Sequence, residues 1–123
     1  GLHLQSYKCP TGYQSIGYGR NIEQVGIKKA EAEMLLQNDM EDVFVFLDQH
    51  IPMWKYEAFN IRLVLCDLCF NLGIKGLLKF KKFLRAIDES DYELAAEELK
   101  ASKYYNQVTN RAKRNINLIL EEI

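Results

Sequence analysis

The texture of the chain changes once, between about residues 22 and 27, and this change limits the possible folds more than any other feature. Before it, Pro10, Gly12, Gly17 and Gly19 punctuate short segments in which Tyr, Ile, Ser and Gln alternate. That pattern suits a small hairpin sheet, because alternation places successive side chains on opposite faces and the glycines supply the turns. After it, the apolar residues recur at helical steps. Ala32, Leu36, Met40, Val43 or Phe44, and Leu47 predict one helix from about Ile27 to the vicinity of Pro52. At about six turns such a helix is roughly 30 Å long or more.

Beyond Pro52 the sequence reads as helical throughout. A second helix is expected from about Glu57 to Asn71, apolar nearly all round after Ile61, with Gly73 as its cap. Shorter helices are expected at about Leu77 to Asp88, Asp91 to Ala101 and Thr109 to Glu121. The organisation predicted is one α+β domain over 1–123, with a β lobe at 1–26, a connecting helix at 27–51 and a helical lobe at 52–123.

A chain of 123 residues, 48% hydrophobic, can bury one real core but not two of ordinary size. With 16 basic and 17 acidic residues it has no global field that would collect it onto nucleic acid or an anionic membrane. The apolar runs are too short to span a bilayer, and the first residues lack the regions of a signal peptide, so the sequence as given reads as soluble. Three cysteines, Cys9, Cys66 and Cys69, cannot all pair within the chain. Cys66 and Cys69 lie in an apolar run without the further ligands of a zinc site, so they read as small buried hydrophobes of a reduced protein and no metal is expected. Charge is segregated in the carboxyl half. Lys75, Lys79, Lys81, Lys82 and Arg85 come without an acid among them, and Asp88, Glu89, Asp91, Glu93, Glu97 and Glu98 follow. Two solvated helix faces explain this, and so would a basic face that meets an acidic polymer.

The segment from Gly1 to Asn21 contains Gly1-Leu2, Tyr7-Lys8-Cys9 and Ser15-Ile16-Gly17-Tyr18-Gly19. Further on stand Cys69-Phe70-Asn71-Leu72-Gly73 and the run from Ser102 to Arg114. In this order these segments resemble the opening sheet, the buried-helix ending and the late helical region of phage-type lysozymes, glycoside hydrolase family 24. The resemblance covers nearly the whole chain. It implies a lysozyme-like α+β fold, a small antiparallel sheet joined by a long helix to an all-helical lobe, and hydrolysis of the β-1,4 bond between N-acetylmuramic acid and N-acetylglucosamine in peptidoglycan.

Such hydrolysis needs an acid for the leaving oxygen and a second group for water, about 6.5–9.5 Å apart when the anomeric centre inverts. The family's acid is a Glu directly before the Gly-Leu pair, at the end of a short helix. That position precedes Gly1, and no Asp or Glu occurs from Gly1 to Ile22. The chain as written is therefore expected to be nearly inactive, either because it is part of a longer one or because the acid is gone, and the first is favoured. By resemblance Cys9 takes the second catalytic position, where some members have Asp and others Cys. A thiol serves there only if its pKa falls toward neutrality. Ser15 takes the place of a Thr that orients water, and keeps its hydroxyl.

The resemblance further implies that Arg111 lies near the acid and holds it. Asn106 and Gln107 form a supporting turn, and Phe70, Asn71 and Tyr18 face sugar. Core packing is the favoured alternative for Phe70, and for Asn71 a helix-end role stands level with the cleft role. Arg20 stands where members have a His, so a pairing made by that His does not carry over. Tyr104 and Tyr105 are expected to pack within the helical lobe. No cofactor is implied. The expected partner is the peptidoglycan glycan strand, with no nucleic acid, bound by a monomer. By family analogy the protein is made in the bacterial cytoplasm and reaches the wall or periplasm on release. Two other classes stay open: a lysozyme-like module that binds glycan without cutting it, and an interaction protein on the same scaffold.

Overall fold

The computed structural model describes Gly1–Ile123, and the chain divides into two units, Gly1–Asn38 and Asp39–Ile123. In the first, the Gly-punctuated segment forms three antiparallel strands in the order β1 (His3–Lys8), β2 (Gln14–Gly17), β3 (Arg20–Asn21). Lys8 faces Gln14 and Tyr7 faces Ser15, with an irregularity in pairing before His3 meets Gly17. Ser15 also faces Asn21 and Ile16 faces Arg20. Only Tyr18 and Gly19 separate β2 from β3. Gly19 has φ +96, a backbone that a side chain would strain, so the glycine there sets the tight reversal.

Helix α1 (Lys29–His50) follows, and the boundary between the units falls within it. Its start is braced by the Lys28 backbone N–H, which donates to Glu31 Oε1 at 2.9 Å, and Pro52 opens a 3-10 turn (Pro52–Tyr56) beyond its end. The apolar stripe read from the sequence is buried only in its later part, at Val43 and Leu47, whereas Ala32 and Leu36 are exposed.

The second unit is helical: α2 (Phe59–Leu78), α3 (Lys81–Asp88), α4 (Tyr92–Lys100), α5 (Lys103–Gln107) and α6 (Thr109–Leu120). Ile61, Val64, Leu65, Leu68 and Cys69 of α2 are buried together with Phe83 of α3, Ala95 and Leu99 of α4, and Ala112 and Ile119 of α6. The small residues Ala95, Ala96 and Ala112 are fully or almost fully buried, which lets helix backbones approach closely. Asp91 caps α4 by accepting from the Leu94 N–H, and Ser102 caps α5 by accepting from Tyr105. Asn60 near the start of α2 donates to the Leu118 carbonyl at 3.2 Å and to Glu121 Oε2 at 3.1 Å, tying that end to the last turn of α6.

The structure amends the expected elements in three places. Gly73 does interrupt α2, with a non-helical φ of 69° and ψ of 164°, but a further turn continues to Leu78, so the next helix starts at Lys81 rather than Leu77. Helix α5 was not legible, because five residues hold too little periodicity to register. And α2 is not buried all round: Leu63 and Phe70 are exposed on its outer face. Cys69 is buried and Cys66 half-buried, and burial pushes both thiols above their ordinary range. No helix is long and apolar enough to cross a membrane.

Because the core belongs to the second unit, truncations there and in the first unit should differ sharply. Leu99→Ala should cost about 2–5 kcal/mol, and Leu35→Ala, an exposed site on α1, less than about 1 kcal/mol. Urea unfolding followed by the fluorescence of Trp54 measures both.

Candidate active site

In the first unit the expected water-activating residues come together. Cys9 follows directly on β1, and its Sγ lies 2.9 Å from the Thr11 hydroxyl. The connection to β2 folds back tightly, with the Cys9 N–H donating to the Tyr13 carbonyl and the Gly12 N–H to the Cys9 carbonyl. The thiol pKa drops from an ordinary 9.0 to about 7. The Thr11 hydroxyl is the main cause, joined by the backbone N–H groups of Tyr13 and Thr11 and by the Ser15 hydroxyl, against an upward push from desolvation. Hydrogen bonds to the charged form favour the thiolate. Ser15 is the one buried residue of this unit, 2% exposed, and is held from both sides by its pairing with Tyr7 and Asn21. Tyr18 sits almost fully exposed in the turn after β2 and is not joined to Cys9 or Ser15 by a hydrogen bond; it lines a separate recess with Ile16, Val25 and Met34. Arg20 pairs with Glu31 at 3.0 Å.

In the second unit, Asn71 and Arg111 meet directly: Arg111 Nη1 donates to Asn71 Oδ1, and Asn71 Nδ2 donates to the Asp67 carbonyl at 2.9 Å. The centre of the group is a residue the sequence reading passed over. Asp67 Oδ1 lies 3.8 Å from Arg111 Nε, and Oδ2 accepts from Asn115 Nδ2 at 2.8 Å and from the Tyr104 hydroxyl at 3.4 Å. Asn115 Nδ2 also donates to the Tyr104 oxygen at 3.2 Å. Tyr104 and Asn115 are buried, and burial, followed by the negative charge of Asp67, pushes the Tyr104 hydroxyl above its ordinary range. Arg111 and Asn71 stand at the outer edge of this network, with the Arg111 side chain 43% exposed.

Phe70 is partly exposed on α2, next to Asn71, so the alternative of full core packing does not apply. Asn106 and Gln107 are exposed and end α5, so the turn expected there is a short helix, closed by the Thr109 hydroxyl donating to the Tyr105 carbonyl. Thr11, Asp67 and Asn115 were missed. Asp67 did carry a signal: it is the only carboxylate between Glu57 and Asp88, four residues before Asn71 on a helix. Asn115 likewise stands four residues after Arg111, on the same helix face.

The sequence pattern described as Phage lysozyme matches residues 1–115. The chain belongs to the phage lysozyme family. Among curated relatives, the pre-baseplate central spike protein of Enterobacteria phage T4 is 28% identical over 98% of this chain and 26% of its own length. The protein named Probable T4-type lysozyme 1, from Dictyostelium discoideum, is 27% identical over 97% of this chain and 87% of its own. The protein named Probable T4-type lysozyme 2, from the same organism, is 36% identical over 75% of this chain and 56% of its own. The chain thus spans about a quarter of the spike protein but most of the first Dictyostelium relative.

Asp67 joins Arg111, Asn115 and Tyr104 into one network. Asp67→Ala should leave the buried Asn115 amide and Tyr104 hydroxyl short of a partner and destabilise the second unit by about 1–3 kcal/mol. Asp67→Asn, which keeps an acceptor oxygen, should lose less. Chemical denaturation of the two variants checks the order, and equal losses would assign the effect to the charge of the carboxylate rather than to its acceptor oxygen.

Proposed function

We propose that this chain carries the water-activating and glycan-gripping residues of a muramidase that cleaves the β-1,4 bond between N-acetylmuramic acid and N-acetylglucosamine with inversion. The observation that carries the reading is the thiol of Cys9, brought to about pH 7 by Thr11 and Ser15, in a member of the phage lysozyme family. In this role the Cys9 thiolate takes a proton from water as the water attacks the anomeric carbon, and the Ser15 hydroxyl orients that water. On the other unit Asn71 offers an amide donor and acceptor suited to N-acetyl groups. Phe70 gives an apolar face to the sugar ring, and Tyr18 adds an aromatic on the first unit. Asn106 and Gln107 support the region before α6, and Arg111 steadies the acid.

In the family the acid is a Glu directly before the Gly-Leu pair, residues 1–22 hold no carboxylate to replace it, and proton donation by one positioned group is worth about 10² to 10⁴ in rate. The protein acts as a monomer without a cofactor. It is made in the bacterial cytoplasm and meets the wall or periplasm after release. The lack of a carboxylate in the sheet favours a second reading, a module that binds peptidoglycan without cutting it.

Digestion of purified sacculi separates the two. Residues 1–123 alone should clear them at least about 10²-fold more slowly than a version extended by a helix ending in Glu before Gly1. The rate of the extended form should follow a bell-shaped pH profile with one limb at about 7, because the mechanism needs the Cys9 thiol ionised and the Glu protonated at once. Cys9→Asp should retain activity and move that limb to lower pH, whereas full activity in Cys9→Ala would remove Cys9 from the mechanism. Binding of sacculi without release of reducing ends by both forms would establish the non-cleaving module.

A further inference from the structure

The edge of the second unit where Asn71 meets Arg111 has a charge balance that the rest of α5 and α6 does not share. Between Glu98 and Glu121 no acidic residue occurs, while Lys100, Lys103, Arg111, Lys113 and Arg114 do. Of these cations only Arg111 is ion-paired, its Nε 3.8 Å from Asp67 Oδ1. Asp67 comes from α2, where it is the only acidic residue between Glu57 and Asp88. One negative charge from another helix is thus set against the one cation that reaches Asn71.

Hydrogen bonding does not require that charge. Toward the core, Asp67 Oδ2 accepts from Asn115 Nδ2 at 2.8 Å and from the Tyr104 hydroxyl at 3.4 Å, and an amide oxygen accepts both equally. Toward the edge, the 3.8 Å contact with Arg111 is too long for a hydrogen bond, so Asp67 supplies charge there rather than geometry. The geometry comes from Asn71, whose Oδ1 accepts from Arg111 Nη1 while its Nδ2 donates to the Asp67 carbonyl at 2.9 Å. The Arg111 and Asp67 side chains are 43% and 31% exposed, so both face an incoming ligand. A guanidinium left alone is a strong site for carboxylates. One matched by Asp67 offers no net charge, and a carboxylate arriving there meets a like charge.

We propose that Asp67 sets the charge specificity of this edge: by compensating Arg111 it makes Phe70, Asn71 and Arg111 a seat for an uncharged N-acetyl sugar and turns away one that presents a carboxylate. The inference rests on the reading of that edge as a glycan site. It separates the two sugars of the wall by their chemistry. N-acetylglucosamine is neutral, whereas the lactyl group of N-acetylmuramic acid is charged unless its carboxylate is closed into an amide. Asn71 keeps one N–H and one lone pair for the N-acetyl amide, because its Nδ2 and Oδ1 each make one bond of the two they can make. Asp67 acts through Arg111, as a specificity-determining residue and not a catalytic one.

Two probes that differ only in charge test this: the disaccharide of N-acetylglucosamine and N-acetylmuramic acid with its lactyl carboxylate free, and the same disaccharide with that group as the carboxamide. Each is titrated into the chain at neutral pH and low ionic strength, followed by amide chemical shifts. The parent should bind the carboxamide at least as tightly as the acid, an outcome that needs no variant. Asp67→Asn should move the ratio of the two affinities toward the acid by about three- to five-fold, and added salt should shrink that change. Combining it with Arg111→Gln should bring the ratio back, because no uncompensated cation then remains. A merely structural Asp67 would weaken both probes alike, so an unmoved ratio overturns the proposal, as does a parent that prefers the acid. If the parent binds neither probe, or its shifts spare Asn71 and Arg111, the glycan reading of the edge falls and the proposal with it.

Discussion

Helix α2 must bury one face, and it carries one carboxylate that cannot be buried alone. This single constraint orders the second unit. Ile61, Val64, Leu65 and Leu68 take the helix into the core, and Asp67, half-buried beside them, needs partners because partial desolvation disfavours a charge left without hydrogen bonds. Asn115 and Arg111 from α6 and Tyr104 from α5 meet it. The packing of α5 and α6 against α2 is therefore set by polar geometry as well as by Leu99, Ala112 and Ile119. The same geometry leaves Arg111 and Asn71 joined at the edge of the network with freedom to face solvent.

The first unit is organised on the opposite principle. Its strands hold a short polar array, Cys9, Thr11 and Ser15, by backbone pairing and tight turns rather than by a core beneath them. Backbone pairing is enough to fix Ser15 and to pack hydroxyls and N–H groups around the Cys9 sulfur. It is not enough to cover Leu4, Val25 or Met34, and the apolar recess is the consequence.

The sequence displayed the division into a glycine-punctuated sheet and a helical remainder because period two and period 3.6 are distinct signals, and turn glycines mark where one stops. It displayed Cys9, Ser15, Asn71 and Arg111 through their place in family motifs. It did not display Asp67 as the hub, because the partners Tyr104 and Asn115 lie 37 and 48 residues away and only folding brings them near. The apolar stripe of α1 misled for a related reason: periodicity reports a face fit for burial, and Ala32 and Leu36 have that face with nothing over it. The extra turn after Gly73 and the five-residue α5 escaped because such short segments carry less than two periods.

These features make a coherent lysozyme-like protein in which one unit offers a low-pKa thiol beside a fixed hydroxyl and the other offers an amide and a guanidinium held by Asp67. The glycan-binding role proposed for these residues is open to a direct test. Nuclear magnetic resonance of the isotopically labelled chain titrated with a soluble oligomer of N-acetylglucosamine tests it directly. Shifts should concentrate at Cys9 and Ser15 in one unit and at Phe70, Asn71 and Arg111 in the other, while shifts confined to the lysine-rich face from Lys75 to Arg85, or none at saturating sugar, would contradict the proposed role.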